Sequence, residues 1–200
     1  IWAEVKPRIV EAFGRKIDNA IFNGVEKPAD WREGLIPTIV SVGAEVQETE
    51  KLYNDINNAM VKVEESGYNV SGLLGGTGLK GKFRMMLDAN GQPLNQTEIG
   101  SLKREYLDNG AWDKKLSTLV VGDFNQAVYS IRQDITYKVL TEAVIQDPSD
   151  GSILYNLAQD DMVALRVVMR LGWEIPNPVN AENETETRFP FASVNPISTI

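Results

Sequence analysis

Residues 163–175 read Val163-Ala164-Leu165-Arg166-Val167-Val168-Met169-Arg170-Leu171-Gly172-Trp173-Glu174-Ile175, and their pattern decides the fold. Val163, Leu165, Val167, Met169, Leu171 and Trp173 occupy every second position, while Arg166, Arg170 and Glu174 lie between them. Side chains alternate faces along a strand, so this is one long β-strand with an apolar side and a charged side. It would span about 35–40 Å at roughly 3.3 Å per residue. Strands in globular proteins are usually about half that length. An element this extended is built to lie along a neighbour.

Working outward, residues 128–144 are rich in β-branched and aromatic residues, among them Tyr129, Ile131, Ile135, Tyr137 and Val139. Residues 146–160, opened by Gln146-Asp147-Pro148-Ser149-Asp150-Gly151, read as a loop. Together these segments predict a long β-hairpin with a large loop at its tip, and loops of that size are usually functional or disordered. Downstream, Pro176, Pro178 and the run Glu182, Glu184, Glu186 interrupt regular structure, and residues 189–192 suit a final short strand.

At the other end, Val5, Ile9, Phe13, Ile17 and Ile21 form one apolar helical stripe that Gly24 can stop. Lys6, Arg8, Arg15 and Lys16 make the opposite face basic, read here as a solvated face. Residues 23–41 read as a connection. Val42, Val46, Thr49, Leu52, Ile56, Met60 and Val63 predict a second helix over 42–65, with Gly67 as its cap. A short β-like run at Tyr68-Asn69-Val70, a Gly-rich turn, a third helix over 80–87 and a turn at Asp88-Ala89-Asn90-Gly91 follow. Leu119-Val120-Val121 reads as a short buried strand. The fold class is therefore α+β: a helical and sheet middle, 32–127, between a leading helix (1–31) and a long-stranded C-terminal part (128–200).

Composition removes whole classes of chemistry. The 200 residues contain no cysteine and no histidine, so thiolate catalysis, disulfides, His-based triads and His-containing metal sites are absent. A net charge of −8, without a Lys/Arg cluster, argues against a nucleic-acid-binding surface. No run of eighteen apolar residues exists to span a membrane. The chain opens on Ile1-Trp2-Ala3-Glu4, already helical in pattern, and reads as the C-terminal part of something longer.

Three patterns resemble chemistry. Gly76-Thr77-Gly78-Leu79-Lys80-Gly81-Lys82 fits both a dinucleotide loop and a phosphate loop in outline. Phe83 stands where the Ser or Thr of a phosphate loop would hold magnesium, so a turn opening a short helix is the expectation. Asp147, Asp150, Asp160 and Asp161 share one loop and could gather a divalent cation, but their spacing matches no EF-hand and a solvated tip is expected. Arg166 and Arg170 either pair with carboxylates of another subunit or cover the exposed side of the sheet; both readings stay open. No catalytic, cofactor-binding or metal-ligating residue is assigned, and no cofactor is implied.

The order of these signals resembles a known family. Leu119-Val120-Val121-Gly122-Asp123-Phe124, Tyr129-Ser130-Ile131-Arg132 and the Val163–Trp173 strand with Arg170 look like the C-terminal half of tailed-phage major capsid proteins of the Hong Kong 97 lineage. Ala20-Ile21-Phe22-Asn23-Gly24 resembles the end of that family's spine helix. Arg84-Met85-Met86-Leu87-Asp88-Ala89-Asn90-Gly91-Gln92-Pro93-Leu94 resembles its axial-domain helix and turn, and Gly110-Ala111-Trp112 also fits. The resemblance implies an axial domain over 32–127 and a peripheral domain made of 1–31 and 128–200. It further implies a structural head protein without enzymatic activity, made in the bacterial cytoplasm and located in the virion. Its partners would be copies of itself, as hexamers and pentamers around DNA held without specific contacts, with no membrane. Intersubunit contacts are expected at Arg166, Arg170, Asp147, Asp150 and Asp160. The family's N-terminal arm and extended loop would precede Ile1. Apolar residues such as Val168 stand where the acid that promotes cross-linking in some relatives would lie, so no cross-linking residue is carried over. The rival readings are an encapsulin-type compartment shell and a nucleotide-binding enzyme using Gly76–Lys82.

Overall fold

The computed structural model describes residues 2–87, 98–177, 179–184 and 188–197. The chain divides into two compact units, Ile1–Val128 with Glu174–Ile200, and Tyr129–Trp173. In the first unit, helix α1 (Trp2–Asn23) follows the predicted apolar stripe, with Pro7 inside it. It ends at Gly24, whose φ of +72° is a left-handed conformation that glycine adopts without strain. The C-terminal half of α1 is tied down through side chains. Asn109 Nδ2 donates to Asp18 at 2.6 Å, and Asn23 Nδ2 donates to the Ala111 carbonyl at 2.8 Å.

A five-stranded sheet organises the rest of this unit. Its order is β1 (Glu45–Gln47), β9 (Phe191–Asn195), β4 (Leu119–Gly122), β2 (Gly72–Gly76) and β3 (Lys103–Leu107). β4 runs antiparallel to both β9 and β2, while β1 is parallel to β9 and β3 is parallel to β2. Helix α3 (Leu52–Glu65) covers one face. Its Ile56, Ala59, Met60 and Val63 pack on Leu73, Leu119, Val121, Ala192 and Val194. Full burial of each large aliphatic side chain here is worth about 1.5–3 kcal/mol. Buried Asp55 accepts from the Thr49 N–H and hydroxyl, both at 2.8 Å, and so fastens the turn between β1 and α3. On the other face Phe191 meets Phe124 and Phe189, with ring centroids 5.3 and 6.0 Å apart.

Several elements differ from expectation for local reasons. Residues 23–41 contain a helix, α2 (Leu35–Ser41), with Leu35, Ile36 and Ile39 buried. Val42 and Val46 continue the α3 stripe by coincidence, for Gly43 (φ +72°) turns the chain and Glu45–Gln47 is strand β1. The β-like run at residues 68–70 is not the strand; the Gly-rich segment after it is, as fully buried β2. Helix α4 spans Leu79–Arg84 and a further turn, α5, spans Glu98–Ser101. The expected turn at residues 88–91 lies outside the described residues. Residues 191–195, grouped by sequence with the 128–200 segment, supply the second strand of the sheet.

In the second unit, β5 (Val128–Leu140) and β8 (Ala164–Glu174) pair as a two-stranded ribbon. The predicted loop at 146–160 is instead largely ordered into a small antiparallel hairpin, β6 (Val144–Gln146) with β7 (Ile153–Asn156). Its turn is tight because Asp147 and Asp150 bond to backbone two residues ahead and Gly151 takes φ +74°.

Candidate intersubunit surface

The long strand meets its prediction closely. At about 3.3 Å per residue, the eleven residues of β8 reach roughly 36 Å. Leu165, Val167, Met169 and Leu171 are half-buried and Trp173 is buried, while Arg166, Arg170 and Glu174 are exposed. Arg166 and Arg170 lie four apart on one side of the strand, about 13 Å along it. Neither makes a hydrogen bond or ion pair among the described residues.

β5 carries an apolar side that the sequence reading did not isolate. Tyr129, Ile131, Ile135, Tyr137 and Val139 recur at even spacing, the same alternation already used for β8. Both sides of β5 are largely exposed, and the apolar residues are no exception: Tyr129 is 76% exposed and Val139 54%, with only Ile135 of this set half-buried. The small hairpin repeats this, with Val144, Ile145, Ile153, Leu154 and Tyr155 all exposed. An isolated two-stranded ribbon is marginal in water and needs another layer. Exposed apolar side chains gathered in this number on a small unit mark an interaction surface.

The hairpin's carboxylates are held by their own turn. Asp147 accepts from the Ser149 hydroxyl at 2.5 Å and N–H at 2.8 Å, and these bonds hold its carboxyl below the ordinary value. The Ser152 N–H, at 2.9 Å, does the same for Asp150. Asp160 accepts from the Asn156 N–H at 3.0 Å. No group of three or more carboxylates that could hold a metal occurs among the described residues. Asp147 and Asp150 therefore form an anionic tip whose charge persists to lower pH than that of free carboxylates.

The glycine-rich loop has a packing explanation. β2, the turn and α4 do form strand–turn–helix, but α4 has six residues. A Cβ on Gly76 would lie 3.0 Å from Trp112 Cδ1, and one on Gly75 would lie 3.2 Å from the Thr118 carbonyl oxygen. Lys82 is ion-paired with Glu48, and Lys80 Nζ sits 5.0 Å from the Tyr106 ring centre. Phe83 packs against the core beneath the Arg104 guanidinium, 4.7 Å from its ring centre. The glycines make room for neighbouring side chains, and the lysines that would reach a phosphate are engaged inside the chain.

These two units define a Hong Kong 97-type capsid fold. A chain from Microbacterium phage Oxtober96 superposes with a TM-score of 0.83 at 33% identity, covering 98% of this chain and 66% of that one. A chain from Mycobacterium phage Cain gives 0.82 at 28% identity, covering 100% and 66%. The sequence is 27% identical over 190 residues to the major capsid protein of Staphylococcus phage 80alpha, covering 86% of this chain and 53% of that protein. The model of the phage capsid family matches residues 1–181, and the chain belongs to that family. It spans about half the length of this curated relative and 66% of these solved chains. The matches favour neither the compartment-shell nor the nucleotide-enzyme reading.

Proposed function

We propose that this chain is the shell-forming core of a phage major capsid protein. Copies associate as hexamers and pentamers into an icosahedral head around DNA that they hold without specific contacts. The protein is made in the bacterial cytoplasm, resides in the virion and has a structural role with no reaction to catalyse. In this reading residues 32–127 supply the axial domain, and residues 1–31 with 128–200 supply the peripheral one, with β9 returning to the axial sheet. Arg166, Arg170, Asp147, Asp150 and Asp160 are intersubunit contacts: the two arginines have no partner among the described residues, Asp147 and Asp150 stand on the exposed hairpin, and Asp160 stands in the turn that follows it.

The observation that carries the reading is the set of exposed apolar residues on β5, Tyr129, Ile131, Tyr137 and Val139, in a chain of this family. The test is to express the complete gene product and image it by negative-stain microscopy. Closed shells or capsomers are the expected result. Monomers alone, at high concentration and across salt conditions, would overturn it.

A further inference from the structure

Strand β1 is three residues long and sits at the edge of the sheet, paired on one side to β9. The parallel register sets Glu45 beside Ser193 and Gln47 beside Asn195. Registered partners and residues two apart share a face of a sheet. Glu45, Ser193 and Asn195 therefore line one side of this edge. It is the side away from α3, because Ala192 and Val194 are the β9 residues that face the α3 core.

Three oxygens on that side have no partner among the described residues. Glu45 Oε2, Ser193 Oγ and Asn195 Oδ1 are each buried without a hydrogen bond. Ser193 is fully buried and Asn195 is 9% exposed, so these two are interior groups, while Glu45 is half-buried with this one oxygen covered. Leaving buried acceptors unmatched is costly, and a carboxylate oxygen more so than a neutral one. The carboxylates in the unit's ion pairs are Glu26, Glu33, Glu48, Glu105 and Glu174; Glu45 has no cationic partner among the described residues. A small positive species at this edge would meet lone pairs of all three oxygens, the Ser193 hydroxyl proton turning away from it.

We propose that Glu45, Ser193 and Asn195 bind a hard divalent cation, calcium, at the β1–β9 edge. One carboxylate and two neutral oxygens make an all-oxygen set, which excludes softer metals that want nitrogen or sulfur. Calcium tolerates irregular oxygen sets completed by water, whereas magnesium demands near-ideal octahedral geometry. With one formal charge the site is weak, with a Kd of about 10⁻⁴–10⁻³ M, the range of low-affinity extracellular modules. Bound there, the ion clamps a short edge strand to the centre of the sheet.

The test uses the chain stripped of metal by a chelating resin. Thermal unfolding is followed with about 5 mM calcium chloride, against magnesium chloride and potassium chloride at matched ionic strength. A site of this affinity raises Tm by roughly 2–9 °C through preferential binding to the folded state. Calcium alone should give the full rise, with one ion per chain by calorimetric titration. Glu45→Gln should abolish the rise, Ser193→Ala should reduce it, and Asn195→Asp should tighten binding by adding a second charge. If Glu45→Gln does not fold, the titration and the Asn195→Asp comparison decide. A titration without heat, an equal rise with potassium, or unchanged affinity in Asn195→Asp overturns the proposal and leaves ordered water as the occupant.

Discussion

Replacing Tyr129 by Thr separates the two jobs that its ring can do. Tyr129 is 76% exposed, so its ring contributes little to the stability of the isolated chain. Thr is itself a good strand former, and an exposed exchange of this kind changes stability by about 0.5 kcal/mol or less. Assembly is another matter. A Tyr side chain offers about 150–250 Å², of which roughly 110–190 Å² is free here to be covered by a neighbour. At about 25 cal/mol per Å² that is about 3–5 kcal/mol, and Thr retains about a third. The net loss of roughly 2–3 kcal/mol weakens each subunit contact about 30- to 150-fold. Two assays are paired: thermal unfolding of the 200-residue chain, and light scattering with microscopy of the complete product. A Tm within about 2 °C of the parent, with the concentration for shell formation raised tenfold or more, is expected. Shells forming at an unchanged concentration would refute the assignment of this surface. So would a fall in Tm beyond about 5 °C, because the ring would then be packing within its own chain.

Three further outcomes follow from packing and charge. Gly76→Ala should cost about 1–3 kcal/mol in urea unfolding by pressing on Trp112, while Gly78→Ala should be nearly neutral, its added carbon meeting the flexible Lys114 side chain at 3.6 Å; equal effects would revive a backbone role for the loop. Asn180 Nδ2 donates to the Ser66 carbonyl at 2.9 Å and Asn180 Oδ1 accepts from the Glu182 and Asn183 N–H groups, so Asn180→Ala should cost about 1–3 kcal/mol by the same measurement. Burial raises the Asp18 carboxyl above the ordinary carboxylate value, with the Asn109 hydrogen bond acting the other way. A raised folded-state value means that the native state binds the proton more readily. Asp18 therefore favours the fold below the unfolded value, and that contribution is lost as pH rises through the folded one. Asp18→Asn should thus raise Tm at pH 7, with an advantage that shrinks toward pH 4; a constant difference across that range would count against it.

The elements legible in the sequence are those in which one period dominates. The α1 stripe at Val5, Ile9, Phe13 and Ile17 and the alternation from Val163 to Trp173 both gave the correct element and extent. β2 was hidden because Gly72, Gly75 and Gly76 look like turn residues, whereas in the sheet they admit Phe124, Leu79 and Trp112. β1 was hidden because Val42 and Val46 fall by chance in phase with α3, and sequence spacing does not reveal where Gly43 turns the chain. At the surface, the Arg166 and Arg170 positions were readable, but the exposure of β5's apolar residues was not. Alternation identifies an apolar side without saying whether the chain itself or another molecule covers it. The oxygens of Glu45, Ser193 and Asn195 come together through the pairing of strands nearly 150 residues apart, which no local pattern reports.

That pairing also bears on when the molecule can fold. Strand β9 lies between β1 and β4, yet it follows every other described strand in the sequence. At bacterial-scale elongation of about 5–20 residues per second, β1 waits roughly 7–30 s for its partner, 148 residues on, to be made. Until then the α3 face has a gap where Ala192 and Val194 belong, and non-local closures of this kind are slow in any case. A chain still short of residues 191–195 therefore lacks the strand that joins β1 to the rest of the sheet, whatever its earlier segments have already formed.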